Sequence, residues 1–466
     1  MLRGPSCRQQ AALTGVGLTT LLAAMSLAGC GGGGGGSDGS GGNGGSGTLY
    51  AIKVTVSGLD GSGLVLQNNG GDDLSVTANG SVQFPTSVAT GTSYSVTVKT
   101  QPTMLTQTCT RSNPSGTVAS ADVTTITLTC ASLTTPYLFS AGASGNKVTA
   151  FSVDSSNGTL NLVDTRSEGT LSSPTGIEVD STGANLYVTN SGNGGTAAIS
   201  VYNINTSTGA LTSAGTVAAA ASPSGIAISA DNLHVYAAGT SGGTGQLRAF
   251  SIGSAGALSV VSGSPFSVGT TPKGVAVDPK GRFVFVANNV SGTISVFQRD
   301  ATTGNLTTGA LQATGSQPQG LAVDPGGRWL YVANLGATQL SAYSIHQTTG
   351  ALTLVEAKAL TNAPYDVTVD PRGTHVYAVF NGSNQIASYQ INSSTGALTE
   401  LSGSPWSTGL EPTAVRVDGA GRFLYVANKQ SNTLSIFSIT SGVLASVGSP
   451  SGGTGTSPVG LALFTR

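Results

Sequence analysis

Five aspartates recur at one place in a repeated phrase: Asp180, Asp278, Asp324, Asp370 and Asp418 each end a short apolar run and open a turn. Carboxylates can act as general bases or bind cations. A catalytic carboxylate is needed once or twice, however, and not in five copies, and in Asp-Pro-x-Gly the Asp accepts turn amides while Pro presets the next φ and Gly tolerates the exit. These aspartates are therefore expected to hold turns, with Arg282, Arg328 and Arg422 paired locally at about 1 kcal/mol or less each. Of the three histidines, His234 and His375 stand in the register occupied elsewhere by Phe283, Trp329 and Phe423, which points to packing, and His346 adjoins an exposed turn. No H-E-x-x-H, C-x-x-C or P-loop pattern occurs, so the expectation is no metal and no cofactor.

The register comes from a repeat. Prolines 174, 223, 272, 318, 364, 412 and 458 each introduce a short apolar strand (GIEV, GIAI, GVAV, GLAV, DVTV, AVRV, GLAL), at spacings of 46 to 49 residues. An aromatic-bearing strand follows (LYVTN, FVFVAN, HVYAVF and their kin), then a third and a weaker fourth. Four short strands at such a period predict propeller blades. The segment Tyr137 to Gly142 starts at a second strand, whereas Pro458 to Phe464 supplies a first strand with nothing after it. Together they make seven blades and close the ring, which leaves no open strand edge.

First strands line a propeller's channel, so function should sit where these strands disagree. The position held by Ala227, Ala276, Ala322 and Ala462 becomes Glu178, Thr368 and Arg416 in the other three repeats, and Lys273, Gln319, Tyr365, Asp366 and Glu411 lie near the strand entrances. Glu178, Lys273, Tyr365 and Arg416 are the candidate ligand-binding residues, suited to a carboxylated or hydroxylated small molecule. Alternatively, Glu178 and Arg416 neutralise each other and simply fill the channel.

LYVTN at Leu186 to Asn190, and LYVAN beginning at Leu330 and at Leu424, resemble the YVTN repeats of seven-bladed lactonase-type propellers, the family of 6-phosphogluconolactonase. The likeness spans about 70% of the chain, Tyr137 to Arg466. It implies the fold, and as an activity it implies lactone hydrolysis; no catalytic residue is carried over from the family.

Upstream, residues 48–135 alternate as strands do (AIKVTVSGL, SYSVTVKT, VTTITLTC), predicting a small immunoglobulin-like β-sandwich before the propeller at 136–466. Asp72-Asp73 reads as hairpin solvation in preference to a calcium pair. The first 29 residues read as a signal peptide, and Leu27-Ala28-Gly29-Cys30 resembles the lipobox of bacterial lipoproteins, which implies cleavage before Cys30 and lipidation of its sulfur. Residues 31–47, nearly all Gly and Ser, form a tether with a reach of roughly 20–25 Å. In an exported protein Cys109 and Cys130 then read as a disulfide.

Charged residues are only 8% of the chain and the net charge is −1, with no basic cluster, so nucleic acid is not an expected partner. The expected protein is all-β, exported and anchored by lipid to the outer membrane. Its favoured role at this level is a propeller scaffold for a carbohydrate, protein or small-molecule ligand; the other reading is an exported lactonase acting on a sugar-acid or related lactone.

Overall fold

In Ile52–Ser57 the residues Ile52, Val54 and Val56 are buried and their neighbours are not, the period of a strand with one face in a core. A computed structural model describes residues 48–466 apart from 60–62, 103–106, 133–135, 169–172, 193–196, 449–456 and 465–466. The expected signal peptide, Cys30 and the expected tether fall outside the described residues.

Two four-stranded sheets build the N-terminal part. One orders Gly80–Gln83, Ile52–Ser57, Val123–Ser132 and Gln107–Ser112; the other orders Asp72–Val76, Leu64–Asn68, Ser93–Thr100 and Ser115–Thr117. Their inner faces share one core that includes Ile52, Leu66, Phe84, Val96, Ile126 and Leu128, so the unit is a sandwich. Ile52–Ser57 and Val123–Ser132 run parallel, unlike the other pairs within these sheets. Cys109 sits directly opposite Cys130 on neighbouring strands and the two are bonded. Asp73 is engaged by Lys99 and by Gln67 Nε2 at 2.6 Å, so it is tied to its own hairpin and the next strand.

From Tyr137 onward the strands form seven antiparallel sheets. Blades 1 to 6 start at Pro174, Ser222, Pro272, Pro318, Asp366 and Pro412. The seventh joins Pro458–Phe464 to Tyr137–Gly142, with Phe139 opposite Ala462, followed by Lys147–Val153 and Leu160–Ser167. The last strand of the chain thus supplies the inner strand of the blade that the first propeller residues begin. In blades 2 and 5 the fourth strand is cut to three residues, and a two-residue strand pairs beside it with the third.

The blades lock by a repeated contact. The residue opening each second strand presses on the glycine of the next blade's third-to-fourth turn: Tyr137 on Gly209, Asn185 on Gly256, His234 on Gly304, Phe283 on Gly350, Trp329 on Gly396, His375 on Gly442 and Phe423 on Gly158. These glycines all have φ between +72° and +83°. A Cβ on Gly304 would come within 2.0 Å of the His234 ring, so both the backbone and the space demand glycine. The hydroxyls of Tyr187, Tyr236, Tyr331 and Tyr425 donate to the carbonyls of Gly256, Gly304, Gly396 and Gly158 in the adjoining blade. His234 and His375 therefore occupy inter-blade packing positions, as their register predicts.

The recurring aspartates hold turns. Asp324 Oδ1 accepts the amides of Arg328 and Trp329 at 2.5 and 2.6 Å, and Asp418 Oδ1 those of Arg422 and Phe423 at 2.6 and 2.9 Å. Arg282, Arg328 and Arg422 pair with their own turn's aspartate and lie over the ring of the next residue.

Candidate functional site

Seven inner strands converge on a cavity of about 730 Å³ at the proline end of the channel. Counting each introducing proline as position one, position three is Gly in five blades, Ala414 in a sixth and Asp366 in blade 5. Glycine is required because neighbouring strands nearly touch: a Cβ on Gly225 would meet the Lys273 carbonyl at 2.1 Å, and one on Gly274 the Gln319 carbonyl at 2.5 Å. Blade 5 escapes this constraint by seating differently. Its inner strand is only Asp366–Val369, and the Tyr365 carbonyl accepts the Gly320 amide at 3.2 Å.

Asp366 uses the space to reach blade 6. Its Oδ2 accepts the Val415 amide at 3.1 Å and pairs with Arg416 Nη1 at 3.3 Å. Arg416 also donates to the Val415 carbonyl at 2.8 Å, which fixes the guanidinium at the channel wall. The expectation that Arg416 and Glu178 neutralise each other is thereby corrected: the ion partner of Arg416 is Asp366, one blade away, because a carboxylate at position three of blade 5 is nearer than one two blades round.

Glu178 is left without an ion pair among the described residues. Burial pushes its carboxyl up to about 7, against the opposing pull of the Arg416 charge and the Val179 amide. Asp366 is also raised, first by burial, with Arg416 and the Val415 amide working the other way. Glu178 lines a second recess of about 310 Å³ toward the aspartate-turn end, so it stands between the two cavities.

Lys273, Gln319 and Tyr365 line the main cavity from three consecutive blades. Burial raises the Tyr365 phenol, helped by the Asp366 and Glu411 charges. The candidate residues Glu178, Lys273, Tyr365 and Arg416 thus surround one space. Glu411 is not among its lining residues; it binds Lys429 Nζ at 2.6 Å at the rim. Asp366 was legible as a strand-entrance residue, and the break in the Gly/Ala column at position three is the signal that marks it out.

A second acidic residue escaped the sequence reading. Glu168 is buried beneath the proline end of blade 1, where Tyr202 and Asn190 donate to it at 2.8 and 3.0 Å and Ser200 also bonds it. Burial raises its carboxyl although all three donors oppose the shift. It lines neither of the two cavities described above and secures Asn190, the last residue of LYVTN. Among the described residues no cluster of three or more His, Cys, Asp or Glu could hold a metal ion.

The family model for "Lactonase, 7-bladed beta-propeller" matches residues 185–320 and 311–409. No curated protein matches the chain in sequence. Among solved structures, a Bacteroides uniformis protein provisionally assigned as a 6-phosphogluconolactonase is 19% identical, with a TM-score of 0.64 over 71% of this chain and 100% of its own. A periplasmic gluconolactonase from Pseudomonas aeruginosa is 20% identical, with a TM-score of 0.63 over 71% and 99%. A similarly assigned Bacteroides fragilis protein gives 20% and 0.63 over 71% and 98%. At these identities the structures establish fold alone, and with the family match they agree with the blade count, the closure and the YVTN-like strands: the chain carries a seven-bladed propeller of the lactonase type.

Proposed function

We propose that the propeller hydrolyses a lactone in its central channel. The observation that carries this reading is the presence, in one cavity of a lactonase-type propeller, of a fixed guanidinium and a carboxylate poised near neutrality that has no ion pair among the described residues. A base whose acidity lies near the working pH combines a useful ionised fraction with basicity enough to take a proton. Glu178 removes a proton from water as the oxygen adds to the lactone carbonyl, and Arg416 faces the charge that develops on the carbonyl oxygen. Collapse of the tetrahedral intermediate breaks the ring C–O bond, and the proton held by Glu178 passes to the leaving alkoxide. The products are a hydroxyl and a carboxylic acid, which ionises. The histidines take no part, since His234 and His375 sit between blades and His346 belongs to an exposed turn.

Turnover of a lactone panel by the purified protein, followed by titrating the released acid, tests this reading. Acid release no faster than the spontaneous background from every lactone would sink it. Because Glu178 must be ionised to accept a proton, kcat/KM is expected to rise with pH through an ionisation near 7 and to level off above it. A profile already flat from pH 5 to 8 would exclude Glu178 as the base.

The comparisons favour this reading over a ligand-holding scaffold without chemistry. The same proposal includes export and lipid anchoring through Cys30; one of the similar structures is a periplasmic enzyme. Replacing Cys30→Ala is expected to move the protein from the membrane fraction to the soluble fraction, and retention with the membranes would reject the anchor. Two acyl signals suffice for stable anchoring where one does not.

A further inference from the structure

Position two of the inner strand has a structural task that four blades abandon, blade 7 for the apolar Val459 and three consecutive blades for longer polar side chains. Thr175 donates its hydroxyl to the Pro223 carbonyl of the next blade at 2.9 Å, Ser224 to Pro272 at 2.6 Å and Thr413 to Pro458 at 3.1 Å. In blades 3, 4 and 5 the same position holds Lys273, Gln319 and Tyr365, whose side-chain polar groups take part in no hydrogen bond or ion pair among the described residues. Each blade forgoes a bond typically worth about 1 kcal/mol. A local rule broken side by side in three blades, all lining one cavity, is the pattern of a site and not of a framework.

The backbones that carry the three side chains are held in place. The carbonyl of Lys273 lies against Gly225 and that of Gln319 against Gly274, so closely that no Cβ fits between, and the Tyr365 carbonyl accepts the Gly320 amide. Their backbones are therefore fixed before any ligand arrives, which lowers the cost of ordering on binding. Chemically they offer an ammonium, an amide that donates and accepts, and a phenol kept protonated by burial and by the nearby carboxylates. The acids of the cavity, Glu178 and Asp366, lie nearer Arg416, which makes Lys273 the cation of the main cavity with no carboxylate of its own among the described residues.

We infer that Lys273, Gln319 and Tyr365 form a subsite for the acidic, hydroxylated end of the ligand, with Lys273 taking a carboxylate. Its place in catalysis rests on the lactonase reading: with the lactone carbonyl at Arg416 and Glu178, the preferred substrates are monolactones of sugar diacids, not neutral aldonolactones. Lys273 is then a specificity residue, Gln319 and Tyr365 meet the chain hydroxyls, and hydrolysis releases the open diacid.

Calorimetric binding of open-chain acids to the full-length protein tests the subsite without requiring turnover. The probes are a six-carbon sugar diacid, the corresponding monoacid and the 6-phosphorylated monoacid. The diacid is expected to bind about ten- to a hundredfold tighter than the monoacid, the range set by one hydrogen bond to a charged group. In Lys273→Met the diacid should lose about ten- to a hundredfold in affinity and with it most of its preference over the monoacid; Lys273→Gln should do the same if the Met variant melts early. Equal binding of diacid and monoacid by the native protein, a preference that survives both substitutions, or tighter binding of the phosphorylated acid would each overturn the assignment. A protein that shows the diacid preference yet hydrolyses no lactone would retain the subsite and lose the proposed reaction.

Discussion

Glu178→Gln is expected to lower kcat for lactone hydrolysis by about 10²- to 10⁴-fold, the usual contribution of a positioned general base. Glutamine keeps the shape and a hydrogen-bonding head but cannot accept the proton of the attacking water. Arg416→Met should lose about 10²- to 10³-fold by removing the charge that faces the developing oxyanion. What separates a catalytic loss from a collapsed channel is the stability that accompanies it. The carboxyl of Glu178 is raised to about 7 from its ordinary value of 4.5, so above pH 7 the folded protein carries an ionised group that prefers water, and below about 4.5 the group is protonated in both states. Its cost is therefore present above pH 7 and fades as the pH falls toward 4.5. Glu178→Gln should melt higher than the native protein at pH 8 and nearly level with it at pH 4.5. An enzyme that loses activity while gaining alkaline stability has lost a functional group; equal loss of both would show Glu178 to be part of the framework.

Arg299→Met should destabilise the propeller by about 2 kcal/mol, the scale set by leaving buried polar groups without their charged donor. The side chain of Arg299 is fully buried at the end of Thr293–Arg299 and reaches from blade 3 into blade 2. Nη2 binds both carboxylate oxygens of Asp231 at 2.9 and 2.7 Å and lies 2.7 Å from His234 Nδ1; Nη1 donates to the Gly281 carbonyl at 2.8 Å and Nε to the Tyr236 hydroxyl at 3.1 Å. Burial, and then the Arg299 charge, lower the His234 pKa, so the ring is neutral and its Nδ1 accepts. Methionine fills the volume but leaves the Gly281 carbonyl and the His234 imidazole without their donor, while Asp231, a third exposed, turns to water. Arg328, half exposed and paired with Asp324 at 3.6 Å, is the control, since its removal should cost about 1 kcal/mol or less. Denaturant midpoints for the two variants would distinguish them, and equal midpoints would contradict the role of the cluster.

Much of this architecture can be read from residue order because propeller blades are local objects. The aspartate turns, the histidines in aromatic register and the closing strand at Pro458 all follow from aligning one repeat on another. Contacts between blades are harder to read, because they depend on how far each inner strand sits from the next. Arg416 was visible as an exception to an alanine column, but its partner could be named only once Asp366 was seen to occupy the narrow glycine position. Arg299 was equally exceptional, standing where the other six blades have Ile or Val, such as Ile345 and Val153. Its meaning depends on His234 and Asp231, some 65 residues earlier, and no periodicity of strands links them. Glu168 is hidden for the same reason, since three donors from two strands of blade 1 make its burial tolerable.

The seventh blade places a condition on how the molecule is made. Tyr137–Gly142 leaves the ribosome more than three hundred residues before the strand that must lie beside it, Pro458–Phe464. Until that final segment emerges, the first propeller strand has one unoccupied edge and the channel has a missing wall, so six finished blades still amount to an open arc. A chain without Pro458–Phe464 would keep six whole blades and none of its closure, and such a chain should be the form that proteases and aggregation remove first.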